Sequence, residues 1–370
     1  MNKTSIVILS YNTYNLTKSC IESIRKFTSA GSYEIIVIDN ASQDASVAWL
    51  KRQKDIELVC NKENKGFPGG CNQGMELAEE GNDILLLNSD TIVTPRWLEN
   101  MQIALYSEPK VGAVSCITNS CSNWQQVEVS YQNYDELIAF AEKTNHSNPA
   151  LWEIRPRLVG FCYLIKNEAY QIAGFLDERY APGNYEDDDY SLKLIMAGYK
   201  LLVCGDTFIH HYGSASFGKH TTPEEQAEKA RKYAVLLQRN QGLFVEKWQV
   251  TPDYGAAHNV IFDVSIPKDE VARIFVVGCN MGMDICYLQN KYPYAQISGA
   301  TENWAEAALA GKYLDVSYCP NLEQDIFTLL MGKYDYILLA EKDRQYLDFD
   351  KYISKLMNYL TPDGSINISE

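Results

Sequence analysis

Residues 83–93 read DILLLNSDTIV, and this stretch decides the fold class. Its four consecutive apolar residues predict a strand that is buried on both faces, as in a parallel sheet covered by helices. Similar runs precede it at residues 4–10 (TSIVILS) and 33–39 (YEIIVID), and residues 16–27 between them have helical spacing. This strand, helix, strand alternation predicts an α/β domain built on a parallel sheet.

Polar residues follow each of these apolar runs, and they are the first candidates for a binding site. Ligands of parallel α/β sheets bind beyond the carboxyl ends of the strands. The candidates are Ser10, Tyr11 and Asn12 after the first run, Asp39 and Asn40 after the second, and Asn88, Ser89 and Asp90 after the third.

Asp90 suits a hard divalent cation such as Mg²⁺ or Mn²⁺. Such an ion takes one or two carboxylates together with phosphate oxygens of a substrate. The alternative is a helix N-cap, since Asp90 and Thr91 precede Pro95 and an amphipathic helix. The residues alone leave both interpretations open.

Residues 186–189 are four adjacent acids, Glu-Asp-Asp-Asp. Crowding of like charges raises the pKa of at least one of them, which suits a general base near neutral pH. The alternative is a solvated helix start, where acids favour the positive end of the helix dipole.

His210 and His211 form an adjacent pair before the small residues at 213–216. Imidazole is a good ligand for a transition metal and a poor one for Mg²⁺. Hydrogen bonding of either ring within the core is the alternative.

A glycine-rich segment at residues 64–74 (NKGFPGGCNQG) leads into a predicted helix at about 72–80. Backbone N–H groups at such a helix start can approach an anionic group. The segment lacks the GK[ST] ending of a P-loop and the GxGxxG spacing of a dinucleotide site.

In this order, the segments resemble the family 2 inverting glycosyltransferases of the GT-A fold, especially their rhamnosyltransferase-like branch. The resemblance covers roughly residues 1–220 of a domain that we expect at 1–250. It is carried by SIVILSYNTYNLTKSCIESI, IIVIDNASQDAS, NKGFPGGCNQGM, LLLNSDTIV, GFCYLIKNEAYQIAGFLDERY, YEDDDYSLKLIMAGYK and IHHYGSASFG.

The resemblance implies hexosyl transfer from a nucleotide sugar of UDP or dTDP type to a saccharide, glycan or protein. Such a reaction would be a single displacement at the anomeric carbon, supported by Mn²⁺ or Mg²⁺. A sugar-nucleotide-binding protein without turnover is an alternative, and it requires the acidic cluster to lie far from Asp90.

The resemblance also implies roles for individual residues. Asp187 matches the catalytic base, with Glu186 as the alternative, and Asp90 matches the main metal carboxylate, with Asn88 in place of the first Asp of the DxD motif. His211 would support the metal or diphosphate, with His210 as the alternative. The implied donor-binding residues are Ser10, Tyr11, Asn12, Asp39, Asn40, Asn64, Gly66, Phe67, Asn72, Asn88 and Ser89.

Three aromatic residues, Trp124, Trp152 and Tyr185, are candidates for packing against an acceptor sugar. Aromatic faces pack on sugar rings, but core packing is the alternative for each of them.

A second alternation of strands and helices begins near residue 271, after an expected connector at 251–270. Residues 271–370 resemble the Rossmann-like fold of class I methyltransferases, which bind S-adenosylmethionine, through RIFVVGCNMGMD, AQISGATEN, KYDYILLAE and LTPDGSINIS. Val276 stands where that family has an acid, and Asn280 replaces its middle glycine. Glu302 could still meet ribose hydroxyls. A bifunctional transferase and a non-catalytic or incomplete module both remain open.

The composition excludes several classes of protein. Lys and Arg number 33 against 48 Asp and Glu, and the net charge of −15 argues against binding nucleic acid or an anionic membrane over the whole surface. No run approaches the ~20 apolar residues of a membrane span, so we expect a cytoplasmic protein. Ten Cys without a CxxC motif predict reduced thiols. The oligomeric state is not predicted.

Overall fold

The computed structural model describes residues 2–213, 222–251, 253–267, 270–340 and 347–369. The chain divides into two compact units. The first comprises Met1–Trp152 and Arg157–Phe244, and the second comprises Glu153–Pro156 and Val245–Glu370. None of the helices formed by the described residues is long and apolar enough to cross a membrane. All ten cysteines are free thiols, and eight of them are buried.

The first unit is built around a large sheet. The strands of this unit are β1 (Thr4–Ser10), β2 (Tyr33–Asp39), β3 (Ile56–Cys60), β4 (Asp83–Asn88), β5 (Thr91–Ile92), β6 (Val111–Ile117), β7 (Trp152–Ile154), β8 (Cys162–Ile165), β9 (Lys200–Phe208) and β10 (His210–His211). β5 and β10 pair with each other outside the large sheet. The helices are α1 (Tyr14–Phe27), α2 (Ser46–Leu50), α3 (Gly66–Leu77), α4 (Trp97–Leu105), α5 (Tyr134–Thr144), α6 (Asn167–Ala173), α7 (Glu186–Met196) and α8 (Pro223–Trp248). β7 and α8 extend past the division between the units.

The main sheet has the strand order β3-β2-β1-β4-β8-β6-β9-β7. The expected central strand is confirmed, because residues 84–87 of β4 are each at most 3% exposed. The α/β class is also confirmed. The sheet is mixed, however, and not parallel throughout as predicted, since β8 runs antiparallel to both β4 and β6. A run of buried apolar residues does not encode strand direction.

The apolar residues at 158–165 (LVGFCYLI) predict a strand, but the structure has a strand only from Cys162. Upstream of it, backbone N–H groups donate to side chains instead of to a neighbouring strand. Leu158 donates to Ser191 Oγ at 3.2 Å, Val159 to Gln125 Oε1 at 3.1 Å, and Gly160 to Asp187 Oδ2 at 2.9 Å. The apolar side chains predict an extended strand here, but the backbone of residues 158–160 forms a loop whose N–H groups donate to polar side chains.

The glycine-rich segment is itself helical, because α3 begins at Gly66 and not near Asn72 as predicted. Its glycines allow the helix to lie directly on β1. A Cβ atom added at Gly70 would lie 2.2 Å from Leu9 Cδ1, and one at Gly74 would lie 2.3 Å from Val7 Cγ1. Close packing therefore accounts for these glycines without any anionic ligand.

The second unit has a five-stranded sheet in which every neighbouring pair is parallel. Its strands are β11 (Arg273–Val277), β12 (Gln296–Thr301), β13 (Val316–Tyr318), β14 (Tyr334–Leu339) and β15 (Leu360–Ile368), in the order β13-β12-β11-β14-β15. Its helices are α9 (Met283–Lys291), α10 (Trp304–Ala310) and α11 (Phe349–Leu356). Alternate residues of β11 enter two separate cores, so both faces of this sheet are covered.

The segment expected to be a connector, residues 251–270, contributes to the core of the second unit. Val260, Ile261 and Val264 are each at most 1% exposed and pack with residues of β11 and α9. Pro and Gly in this segment suggested a linker, whereas its apolar residues are buried.

We expect Gly74→Ala to destabilise the protein by roughly 1–3 kcal/mol, since the new methyl group overlaps Val7. Gly242→Ala in α8 is the matched control, because nothing lies within 4 Å of a Cβ there. Helix propensity should make the control more stable by about 0.5–1 kcal/mol. Urea unfolding measures both free energies, and a stabilised Gly74→Ala would refute the packing explanation.

Candidate functional site

The carboxyl ends of β1, β2 and β4 meet at one edge of the first sheet. In the strand register, Ser10 is opposite Asp39 and Leu9 is opposite Asn88. Asn40 N–H continues this pairing by donating to Ser10 O at 2.8 Å. The polar residues that the sequence placed after three separate strands are therefore close together.

Asp39 is the last residue of β2 and lies at this edge of the sheet. Its side chain is fully buried, and Oδ1 accepts a hydrogen bond from Ser42 N–H at 2.8 Å. Oδ2 is buried without a hydrogen-bond partner. A buried carboxylate oxygen without a donor is costly unless a ligand supplies one.

Asn12 joins the loops that follow β1 and β2. Its N–H donates to Ser42 Oγ at 2.9 Å, and its Oδ1 accepts from Gln43 N–H at 2.7 Å. Tyr11 lies beside it and is 44% exposed. The two loops thus form one wall next to Asp39, with an accessible aromatic ring.

Asn40, Asn64 and Gly66 hold the loop before α3 in place. Asn40 Nδ2 donates to Asn64 Oδ1 at 3.1 Å and to Gly66 O at 3.0 Å. Gly66 has φ +75°, and a Cβ there would lie 2.9 Å from Pro182 Cα. Phe67 N–H donates to Pro182 O at 2.8 Å. These contacts tie the start of α3 to the loop before α7.

Asn72, expected from the resemblance to line the donor site, is engaged elsewhere. Its Nδ2 donates to Leu176 O and to Glu178 Oε1, each at 3.0 Å, and its Oδ1 accepts from Leu176 N–H at 2.9 Å. The amide is thus used to fix the segment 176–178.

Asp90 and His211 form a pair beyond the end of β4. Asp90 Oδ1 lies 3.3 Å from His211 Nε2, and the antiparallel pairing of β10 with β5 puts His211 opposite Thr91. His211 Nδ1 lies 2.7 Å from Ser120 O, so this nitrogen carries the proton. In the neutral ring, the Nε2 lone pair then faces the carboxylate, which is the donor arrangement of a metal-binding histidine.

The surroundings of His211 set both its pKa and the orientation of its ring. Burial lowers its pKa, but the hydrogen bond to Asp90, the Asp90 charge and the Ser120 carbonyl together raise the pKa above its usual value. The ring also stacks on Phe161, with centroids 5.2 Å apart and planes 16° apart. The imidazole is therefore held in one orientation.

His210 faces the other way, as neighbouring residues of a strand do. Its Nδ1 lies 2.6 Å from Tyr131 Oη, and burial lowers its pKa. The structure therefore brings His211, and not His210, to Asp90. The small-residue stretch after the pair lies outside the described residues from Ser214 onward.

The four acids form the first turn of α7, as the helix-start alternative anticipated, but Glu186, Asp188 and Asp189 are buried and not solvated. Asp187 Oδ2 accepts from Gly160 N–H at 2.9 Å, and its Oδ1 accepts from Asp188 N–H at 3.0 Å. Burial and the Asp188 charge raise the pKa of Asp187 to about 6, although Arg157 lowers it. Asp187 is therefore a carboxylate at neutral pH with a basicity suited to proton transfer.

The two acids that flank Asp187 differ in their hydrogen-bond partners. Burial, and next the Asp187 charge, raise the pKa of Glu186 well above its usual value, and Glu186 Oε2 is buried without a hydrogen-bond partner. Asp188 Oδ1 accepts from Arg157 Nη1 at 2.7 Å. Of these three acids, Asp187 combines partial exposure with a raised pKa that still leaves it ionised.

Gly160 and Phe161 connect the two halves of the site. Gly160 N–H donates to Asp187, while Phe161 O accepts from Asn88 N–H at 2.9 Å and the Phe161 ring stacks on His211. Two consecutive residues thus contact the acid of α7, the end of β4 and the histidine beside Asp90. These contacts link the acidic cluster to the surroundings of Asp90.

The three aromatic candidates differ in their surroundings. Trp152 Nε1 donates to the buried Asp206 at 2.7 Å, which favours a structural role. Tyr185 packs on Phe244 with centroids 5.5 Å apart, and Trp124 is 45% exposed.

Residues 5–170 match the family model described as "Glycosyl transferase family 2". The matched residues make up just under half of the chain. Over 240 residues, the chain is 21% identical to the O-antigen chain rhamnosyltransferase RfbN of Salmonella typhimurium, covering 61% of this chain and 70% of RfbN.

Other similarities differ in how much of the matched protein they span. Over 253 residues, the chain is 26% identical to the uncharacterized protein y4gI of Sinorhizobium fredii, and the alignment covers 64% of this chain but only 27% of y4gI. A structure of GalNAc-T7 with UDP, GalNAc and Mn²⁺ has a TM-score of 0.47 at 15% identity, with 57% of this chain and 44% of that chain covered. A structure of the mannosyltransferase PcManGT from Pyrobaculum calidifontis in complex with GDP-Man and Mn²⁺ has a TM-score of 0.47 at 17% identity. The alignment covers 84% of this chain and 73% of that chain.

Within this candidate site, sequence reasoning missed the residues that connect its parts. Gly160 and Phe161 begin the quoted segment GFCYLI, but the apolar pattern there predicted only a strand. Arg157 and Ser120 lie in irregular segments and have no sequence signature. Their roles follow from contacts between residues about 30 or 90 positions apart.

We expect Arg157→Met to lower the free energy of unfolding by roughly 1–3 kcal/mol, since it removes an ion pair to the largely buried Asp188 carboxylate. Arg25→Met is the matched control, because Arg25 pairs with the exposed Asp55 at the same 2.7 Å. Exposed pairs contribute under about 1 kcal/mol. Calorimetric unfolding compares the two variants, and equal losses would argue against a special role for Arg157.

Proposed function

We propose that this chain is an inverting, metal-dependent glycosyltransferase that moves a sugar from a nucleotide-sugar donor to a saccharide, glycan or protein acceptor. The observation that carries the proposal is the contact of residues 160–161 with both Asp187 and the surroundings of Asp90. Such an arrangement supports a base on one side of a reacting centre and a metal on the other. The name of the rhamnosyltransferase relative favours a saccharide acceptor.

Asp90 and His211 would hold the divalent ion, Mn²⁺ or Mg²⁺. Their donor chemistry fits, because a carboxylate oxygen and an imidazole nitrogen lie 3.3 Å apart and face each other. Among the described residues, no group of three His, Cys, Asp or Glu side chains could hold a metal ion, so diphosphate oxygens and water would complete the coordination. When bound, the ion would neutralise charge that develops on the departing diphosphate.

Asp187 would act as the general base. Its carboxylate accepts the acceptor hydroxyl proton as the hydroxyl oxygen bonds to the anomeric carbon, and the bond from that carbon to the diphosphate breaks on the opposite face. The configuration at the anomeric carbon inverts. The hydrogen bonds from Gly160 and Asp188 N–H hold the carboxylate in one orientation and leave lone pairs for the proton.

Asp39 would recognise the nucleobase. Its buried Oδ2 can accept a hydrogen bond from a ligand N–H group. Uracil and thymine both present such a group at N3, which supports a donor of UDP or dTDP type. Asn12 and Tyr11 form the adjoining wall, and Asn40, Asn64 and Gly66 act indirectly by shaping the loop before α3.

The bifunctional alternative finds less support, because the residues of the second unit do not fit S-adenosylmethionine. Val276, at the position of the expected acid, is fully buried in an apolar core. Glu302, the candidate for ribose hydroxyls, accepts a hydrogen bond from Leu322 N–H at 2.8 Å. We therefore propose no methyl transfer.

We expect Asp187→Asn to reduce sugar transfer by about 10²–10⁴-fold, as loss of a general base does, while the donor Kd stays nearly unchanged. Asp135→Asn, an exposed Asp on α5, is the matched control and should retain full activity. The assay measures nucleoside diphosphate release from a panel of nucleotide sugars with Mn²⁺ and acceptor saccharides. Full transfer by Asp187→Asn would remove Asp187 from the role of base.

Metal dependence gives a separate prediction. Treatment with EDTA should abolish release of nucleoside diphosphate, and added Mn²⁺ should restore it. Asp90→Asn should raise the Mn²⁺ concentration for half-maximal activity at least about tenfold, because a ligand is lost. An unchanged Mn²⁺ titration in Asp90→Asn, with Asp135→Asn alongside, would show that the metal binds elsewhere.

A further inference from the structure

The buried side chain of Asn240, on α8, holds the loop that leads into the acids of α7. Asn240 is fully buried. Its Nδ2 donates to three backbone carbonyls, those of Tyr180 at 2.9 Å, Gly183 at 3.0 Å and Asn184 at 2.9 Å. One amide thus gathers three carbonyl oxygens of the segment just before Glu186 and Asp187.

Arg239 fixes the orientation of that amide. Its Nε and Nη2 donate to Asn240 Oδ1 at 2.9 and 2.6 Å. Since a guanidinium can only donate, the oxygen of the amide must face Arg239 and the nitrogen must face the loop. Arg239 Nη2 also donates to Ala181 O. The two side chains therefore act together on residues 180–184.

The loop held in this way has an unfavourable backbone conformation. Asn184 and Tyr185 both have φ +74°, which is the left-handed region and is uncommon for a bulky residue such as tyrosine. Such a conformation persists only when surrounding contacts impose it. Asn240 bonds the carbonyls of Gly183 and Asn184, and Phe244 packs on the Tyr185 ring.

The same loop starts α7. Asp189 N–H donates to Tyr185 O at 2.9 Å, which is the first hydrogen bond of the helix. Asp187 lies between these two residues, and its carboxylate is held at the other side by Gly160 N–H. The direction in which Asp187 projects therefore depends on the backbone at residues 183–185.

We propose that Asn240 is a positioning residue that sets the orientation of Asp187 through the loop 180–185. The inference rests on the proposed function, in which Asp187 is the base. Asn240 lies beyond residues 5–170, which match the family model, and beyond the segments that carry the sequence resemblance. It acts only through the backbone carbonyls it binds.

The test is Asn240→Asp, which preserves side-chain size but replaces the donating NH₂ by an oxygen that faces three carbonyls. We expect kcat for transfer to fall by about 10²-fold, as for a small misplacement of a catalytic group. The donor Kd and the Mn²⁺ titration should stay at wild-type values. Gln238→Glu, the same chemical change at an exposed position of α8, is the matched control and should keep wild-type kcat.

Amide hydrogen exchange gives a readout that does not depend on turnover. In Asn240→Asp, exchange should accelerate in the peptide covering residues 183–190 and stay unchanged in β1, β2 and β4. Acceleration throughout the first unit would indicate a general folding role and would overturn the proposal. Wild-type kcat together with wild-type exchange would also overturn the proposal. If Asn240→Asp does not fold, Asn240→Ala carries the same test with a smaller expected loss.

The two proposals can fail separately. Absence of transfer by the wild-type protein with every donor would refute the proposed function. The exchange result would then still decide whether Asn240 sets the conformation of the loop before α7.

Discussion

The hydrogen bond from Gly160 N–H to Asp187 is the contact on which the site depends. It joins the first turn of α7 to the residue that precedes Phe161, and Phe161 in turn contacts both Asn88 and His211. Gly160 suits this place, because a Cβ there would lie only 3.3 Å from Asp187 Cβ. A larger residue would push the acid away from the end of β4.

The acidic side chains in this region have different partners, and these differences account for the raised pKa of Asp187. Asp188 has Arg157 as a direct partner, and Asp90 has His211. Asp187 instead has two backbone N–H donors and lies next to Asp188, so burial and like charge keep its pKa near 6. A carboxylate of this kind is ionised in neutral solution and still accepts a proton readily.

The sequence predicted those features that depend on local patterns. The buried run of β4 and the polar residues after β1, β2 and β4 follow from hydrophobic periodicity and from the geometry of α/β sheets. The pairing of His211 with Asp90 followed from the family resemblance and not from the residues alone. The glycines were harder to interpret. From the sequence alone, Gly70 and Gly74 fit an anion-binding loop and a closely packed helix equally well. Only their contacts with β1 in the structure distinguish the two interpretations.

Other features could not be predicted, because they depend on contacts between distant residues. The direction of β8, the polar loop at residues 158–161 and the burial of residues 260–264 all depend on partners far along the chain. Asn240 is the clearest case, since its three acceptors lie 56–60 residues away. A single polar residue in a charged helix has no local pattern that indicates such a role.

The central proposal is that Asp90 and His211 bind the metal while Asp187 acts as the base. Anomalous diffraction at the manganese edge tests it most directly. Crystals would be grown with Mn²⁺ and a uridine or thymidine diphosphate. We predict a manganese peak in contact with Asp90 and His211, with Asp187 outside its coordination sphere. A peak coordinated by the acids of α7, with Asp90 free of metal, would contradict this arrangement.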